Sequence, residues 1–404
     1  MQTEGHLLTG FGVFWGVLLL IVLLGCAQGL RNGIEDQFGA AADNVYIWRA
    51  NVAQIPYRGL NAGRWIGMDN DDVRALKKRV PGIKIAVGIN NLGRELPQFV
   101  SRNHEYGSYL VQGSHLEIAE MSGFSMAQGR FFNGLDNRER RKVAVIGSRV
   151  YEQLFPLRDD AIGASIKISG ISFTVVGVFE PSAIGDQARK DAGLVFLPNE
   201  TLRNCFNQEG WIDLIRMSPQ KGVHSSVIEK EAIDFLKDRH NISPQDIGVY
   251  GSYNTQKEFD KYMALFSGMA AFSWFIAIGT IFSGVIGVGN IMLIFVKERN
   301  QEIGLRKALG ATIVSIAVMV VEEAIFLTSL SGLLGLLAGK LLLNFINYLC
   351  MLFSVNAEVF HNPTVNNDTC VIALVVLIIC GTLTALIPAV SAAKINPIVA
   401  LKDE

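Results

Sequence analysis

The chain holds 404 residues, 50% of them hydrophobic and 18% charged, with a formal net charge of -1. Soluble domains carry about 25% charged residues; here charge is scarce and unevenly placed, with 29 of the 36 lysines and arginines and 28 of the 37 acids between Arg31 and Tyr262. A simple soluble enzyme, a disordered chain and a nucleic-acid binder, which needs a basic surface, are all excluded.

Residues 7–30 are uncharged and long enough to cross a bilayer, which takes about 20 apolar residues. Residues 1–6 precede them with Glu4 as the sole formal charge. The stretch Leu23-Leu24-Gly25-Cys26 loosely resembles a lipoprotein cleavage site. Such a signal wants a basic leader, and Leu24 is bulky for its place, so a retained first helix is expected.

Residues 31–262 are charged like a soluble domain and are enough for one large domain or two small ones. Alternating apolar runs predict strands at 44–48, 83–89, 142–146, 165–168, 173–179, 194–197 and 212–216. Helices are predicted at 69–80, 148–154 and 225–239. Asp69 and the acids after it supply a cap and a favourable first turn, and Pro81-Gly82 stops that helix. Strands and helices in mixed order read as α+β. Chemistry is sparse: no His-Glu-x-x-His, Gly-x-Ser-x-Gly or Cys-x-x-Cys occurs, and His104, His115, His224 and His240 lack ligand spacing. Cys205 is the single cysteine of the block, so no disulfide framework forms there. The run Arg138, Arg140, Arg141, Lys142 interleaves with Asp136 and Glu139 and reads as a solvated turn. No phosphate-binding Gly-x-x-x-x-Gly-Lys-Ser/Thr loop is present.

Three further spans follow, at 263–296, 312–349 and 369–393. The second would extend roughly 51 Å as a helix, against a hydrocarbon core of about 30 Å. The third is similarly long. Both are expected to project beyond the outer membrane face as a stalk. Gly279, Gly284, Gly287 and Gly289 in the second span, and Gly332, Gly335 and Gly339 in the third, suit close helix packing at a dimer face, although glycine is also simply commoner in membrane helices. Glu322 and Glu323 lie about ten residues inside the third span. An intramembrane acid is a functional-site candidate by default, although the helix end reaching the cytoplasmic interface explains the pair equally simply. Lys297, Arg299, Arg306 and Lys307 between the second and third spans, with Lys394 and Lys402 in the tail, mark cytoplasmic segments. The link 350–368 carries only Glu358 and Asp368. Both termini are therefore expected inside and residues 31–262 outside.

At this point a family resemblance emerges. Phe124-Ser-Met-Ala-Gln-Gly-Arg-Phe-Phe132, Asp136, Val143-Ala-Val-Ile-Gly-Ser148, Leu154-Phe155, Ile162-Gly163 and Phe173-Thr-Val-Val-Gly-Val178 resemble the periplasmic core domain of MacB-type ABC transporter permeases. Lys297-Glu-Arg-Asn-Gln-Glu-Ile-Gly-Leu-Arg-Lys-Ala-Leu-Gly310 is similar to the FtsX-like permease loop, and Glu323-Ala324, Pro397 and Ala400-Leu401 fit too. The resemblance spans almost the whole chain. It implies a membrane protein with four transmembrane α-helices and a large α+β extracytoplasmic domain between the first two. That domain would be a divided porter with an inserted subdomain near 113–181.

The same resemblance implies a dimeric permease, homo- or heteromeric, in a bacterial inner membrane. A separate ABC ATPase chain would bind ATP and magnesium beneath it, this chain holding no cofactor. Nucleotide-driven closure would be relayed through stalk helices to the periplasmic domains for export or efflux. A periplasmic adaptor or outer-membrane channel would be a further partner, besides membrane lipid. Two departures stand out: only residues 1–6 precede the first span where the family has a basic amphipathic helix, so either the start lies elsewhere or that element is lacking, and the ATPase fused in MacB is expected as another chain. Lipoprotein sorting of the Lol kind, or FtsX-like signalling to a cell-wall hydrolase, are the alternative functions.

Within the loop, Lys297, Glu298, Arg299, Glu302, Ile303, Gly304, Leu305, Arg306, Lys307 and Gly310 form the expected ATPase-coupling site. A short amphipathic helix suits docking into a partner's groove. Glu302, Arg306 and Lys307 are expected to make polar contacts while Ile303 and Leu305 insert. Gly304 would allow close approach and Gly310 would end the helix. An ordinary positive-inside loop is the plainer reading.

Overall fold

A computed structural model describes residues 2–94, 96–156, 160–183, 185–352, 360 and 362–394, and among them places eleven strands and twelve α-helices. Pro397, Ala400-Leu401, Lys402 and Glu358 lie outside the described residues. The strands are β1 (Val45–Arg49), β2 (Ile83–Asn91), β3 (Gln98–Arg102), β4 (Glu105–Ser114), β5 (Ser125–Gly129), β6 (Val143–Gly147), β7 (Ser165–Ile168), β8 (Ile171–Glu180), β9 (Leu194–Pro198), β10 (Leu214–Pro219) and β11 (Tyr250–Asn254). The helices are α1 (Gln2–Phe38), α2 (Asn70–Arg79), α3 (Ile118–Ser122), α4 (Gly134–Arg138), α5 (Ser148–Leu154), α6 (Gly185–Ala192), α7 (Asn199–Cys205), α8 (Ser225–Arg239), α9 (Thr255–Glu298), α10 (Asn300–Ala308), α11 (Ile313–Leu352) and α12 (Asn367–Ala393). Two compact units emerge: residues 33–262, and residues 1–32 with 263–404.

The first unit is α+β in two lobes. One lobe is a sheet ordered β11-β1-β10-β2, antiparallel throughout. Val45, Ile47, Ile83, Ile215 and Met217 from its strands bury against Leu76 of α2 and against Ile228 and Leu236 of α8. β2 serves two cores: Ile83 and Ala86 pack in this one, while Ile85, Val87 and Ile89, two apart along the strand, are buried with Ile118, Phe132 and Phe179. The α2 cap forms as its acids predict. Asp69 accepts hydrogen bonds from the backbone of Asp71 and Asp72, and the Asp72 carboxylate accepts one back from Asp69 N at 3.0 Å.

In the second lobe the order β4-β3-β7-β8-β6-β9 returns to β4, because β9 pairs with β4 in parallel. The result is a closed ring of strands with no free edge between them, filled by Val100, Ile146, Ile166, Phe173, Val175 and Val195. Strands on this ring begin before residue 113 and continue after 181, so the second lobe is wider than the insertion expected at 113–181. β2 joins the lobes, pairing with β10 along most of its length and with β4 at Asn90 and Asn91. Asn199, buried at the start of α7, donates through Nδ2 to the side-chain Oδ1 of Asn90 at 2.9 Å and to Gly113 O at 3.1 Å, which satisfies these two acceptors at the crossing.

Among the described residues four helices, α1 from Phe11 onward, α9, α11 and α12, are long and apolar enough to cross a membrane. α9 has 44 residues and α11 has 40, about 66 and 60 Å at 1.5 Å per residue. Within the second unit, Val13, Val17 and Ile21 of α1 share a core with Ile281 and Val285 of α9, Leu343 of α11 and Leu377 of α12. Glycine makes this packing close: a Cβ at Gly284 would lie 2.8 Å from Val13 N, and one at Gly335 would lie 2.6 Å from Phe14 O. These two glycines therefore serve contacts inside the chain. Gly279 faces open space.

Candidate functional site

The loop between the second and third spans folds as a short helix with tight turns on either side. α9 ends at Glu298, Arg299 stands at the N-cap without a side-chain cap bond, and α10 covers nine residues. Glu302 organises the exposed polar side. Arg306 donates to its carboxylate at 2.7 Å one turn later, and Arg299 Nε lies 3.8 Å from its other oxygen. Arg306 also reaches the Met319 sulfur on α11. Lys307 Nζ donates to Ala393 O at 2.6 Å, a carbonyl at the end of α12, where a cation complements the helix dipole. Gly310 adopts φ +97°, a left-handed conformation that ends the helix as expected. Lys297 and Glu298 are exposed on the last turn of α9.

The apolar side chains separate. Ile303 and Gly304 are buried, Ile303 in a core with Val296, Ile316, Val320, Ala389 and Ala392. Leu305 is 51% exposed and Leu309 is 80% exposed. The expected joint insertion of Ile303 and Leu305 is thus corrected. Residues two apart on a helix point to opposite sides, whereas 305 and 309 are one turn apart and share a face. Ile303 anchors the helix to its own chain, and Leu305 with Leu309 forms the outward apolar pair. The i, i+4 spacing of those leucines was visible in the sequence; which side the chain covers was not.

Glu322 is exposed and Glu323 half-buried on α11. Glu322 lines a groove of about 470 Å³ between α11 and α12, otherwise apolar apart from Lys394 at its end. The two acids are separate from the α10 surface, so the expected site residues divide into a helix-end cluster and a groove. Two of the histidines, His224 and His240, make structural bonds in the other unit. His224 Nδ1 accepts from Ser226 N, and His240 Nε2 lies 3.0 Å from Asp72 Oδ2. The basic turn is built on a buried acid, with Asp136 taking Arg130 at 2.7 Å and Arg141 at 3.4 Å.

Residues 7–233, more than half of the chain, match the family described as MacB-like periplasmic core domain. The chain belongs to the MacB-like family. Residues 274–397 match the FtsX-like permease C-terminal family. A macrolide export ATP-binding/permease protein MacB of Bdellovibrio bacteriovorus is 28% identical over 98% of this chain and 59% of its own length. Its counterpart in Nitrosomonas europaea is 27% identical over 98% of the chain and 56% of itself, so the chain spans under two thirds of these relatives. An uncharacterized ABC transporter permease of Methanocaldococcus jannaschii is 25% identical over 98% of the chain and 94% of itself. The periplasmic region of MacB from Actinobacillus actinomycetemcomitans aligns with TM-score 0.44 at 16% identity, over 57% of this chain and 97% of that one. This MacB-like chain is therefore an ABC transporter permease in family, with four candidate membrane helices and an α+β periplasmic-type domain between the first two.

Proposed function

We propose that the chain is the permease subunit of a MacB-like ABC transporter, worked by an ATPase chain that docks on α10. The carrying observation is the exposed pair Leu305 and Leu309 on a helix that Ile303 and Lys307 fix to the ends of α11 and α12. An apolar pair with a charged rim suits a partner's groove. Motion imposed on α10 passes directly into α9, whose last residue lies two positions before α10 begins. Because α9 and α11 each exceed what a bilayer needs, they can carry displacement beyond the membrane, and the periplasmic-type domain is the receiver. Export or efflux of an extracytoplasmic substrate by a permease dimer is the function this supports, with ATP and magnesium held by the ATPase.

The test is co-purification with the ABC ATPase of a neighbouring reading frame. Leu305→Asp with Leu309→Asp is expected to abolish capture and any permease-dependent change in ATP hydrolysis. Ile303→Ala should instead lower thermal stability while leaving some capture. A double leucine variant that is folded and still captures the ATPase at wild-type level overturns the assignment.

A further inference from the structure

The chain has five tryptophans. Two, Trp15 and Trp274, belong to membrane-spanning helices, and the other three, Trp48, Trp65 and Trp211, line one cleft of about 890 Å³ in the unit 33–262. Its size suits a small-molecule site. Burying indole is among the larger apolar gains open to a fold, yet Trp65 is 68% exposed. Three large apolar side chains left at one concave surface mark a binding site more than a packing accident.

Charge narrows the ligand. Arg49 stacks over the Trp65 ring, and Arg94 lines the same cleft from the turn after β2. Neither arginine makes a hydrogen bond or ion pair to an acid among the described residues. Arg94 is held there in a left-handed conformation, φ +54°, which a non-glycine residue adopts only at a cost. Asp213 also lines the cleft, but its Oδ2 already accepts a hydrogen bond from Asn91 N at 2.6 Å. Burial, and then the like charge of Arg94, push the Arg49 guanidinium below its ordinary value, with Asp213 opposing them. Two guanidinium groups facing one space without a full counter-charge attract an anion, and their planar forks match phosphate or carboxylate.

We propose that this cleft binds a small anion, a phosphate or carboxylate carried on a planar or apolar body. Arg49 and Arg94 hold the charge and the tryptophans hold the body. A free aromatic anion and an anionic lipid headgroup share this chemistry. The inference does not rest on the ATPase-docking reading, since the cleft and α10 are tested by separate measurements on separate units.

Isothermal titration of the full chain in phosphatidylcholine nanodiscs decides it, with 1-naphthyl phosphate and monomeric dihexanoyl phosphatidic acid as the two probes. Saturable binding of at least one is expected, the tighter of the two identifying the source. Arg49→Gln with Arg94→Gln should weaken it about tenfold or more, in line with the loss of charge-assisted bonds. Trp65→Ser, at the most exposed indole, should weaken it severalfold without changing the melting temperature. Inorganic phosphate alone should compete poorly. The proposal fails if neither probe binds, if both variants bind as the wild type does, if 1-naphthylmethylammonium binds equally well, or if inorganic phosphate competes with full affinity.

Discussion

Asp72 and Asp191 show how one residue type takes opposite values in this fold. Asp72 is buried, which by itself raises its pKa, but hydrogen bonds from His240, Asp69 N and Arg239 outweigh burial and hold it below the ordinary carboxylate range. Its contribution to stability is present above the unfolded value near 4 and is lost as pH falls through the lower folded value. Asp191 is pushed up to about 6 by burial, only partly countered by Gln187, Arg216 and Lys190. The folded state then loses stability as pH rises from about 4 to about 6, and above that the penalty is complete. Asp72→Asn is expected to destabilise the chain by about 1–3 kcal/mol at pH 7.5, with the difference vanishing in strong acid. Asp191→Asn should stabilise at pH 7.5 and be neutral near pH 4. Thermal unfolding of the full chain at the two pH values reads both, and an Asp191→Asn chain that melts lower at pH 7.5 contradicts the account. The local half of the Asp72 environment was legible, since Asp69 and Asp72 are three apart on one cap. His240 lies 168 positions away, and nothing in sequence spacing pairs them.

Among the elements, the membrane helices were the most legible, because a long uncharged run has few other folds open to it. α1 continues to Phe38, past the expected end at residue 30, and α9 begins at Thr255, before the expected 263. Charge at a helix end does not stop a helix; it ends only the apolar signal. Gly284→Leu is the sharpest test of helix packing, since its side chain would collide with the backbone of Gly12 and Val13. It should lower the melting temperature in detergent and reduce crosslinking between cysteines placed on α1 and α9, while Gly279→Leu, facing open space, should do neither. Equal effects of the two would show that the close approach is not what stabilises the pair. Strands were found where alternation buries every second residue, as in β2 and β8. β3, β4, β5 and β11 escaped the pattern. β5 buries none of its residues, and Tyr250-Gly-Ser-Tyr-Asn254 carries too few apolar side chains for a period of two to show. These strands are held by backbone pairing with partners, which composition does not record.

For the whole molecule, the proposed orientation rests on the asymmetry of Lys and Arg across the short loops. A cysteine at His104, in a background without the native cysteines, is expected to react with a membrane-impermeant maleimide in spheroplasts. One at Gln301 should react only after lysis. Labelling in the reverse order would invert the orientation and with it the ATPase-docking reading.

The chain's bias alone determined that this is a four-span membrane protein with one charged domain, because hydrophobicity and charge act residue by residue and sum along the chain. It also determined that 297–310 is a cationic loop with a short amphipathic helix in it, α10. Tertiary structure decided which face of that helix is free, since burial of Ile303 depends on Val296, Ile316 and Ala389 arriving from three other helices. It likewise decided the ring closed by β4 and β9, and the meeting of three tryptophans with two arginines. Each of these needs segments far apart in the chain to be brought together, and the free energy that does so belongs to the packed whole.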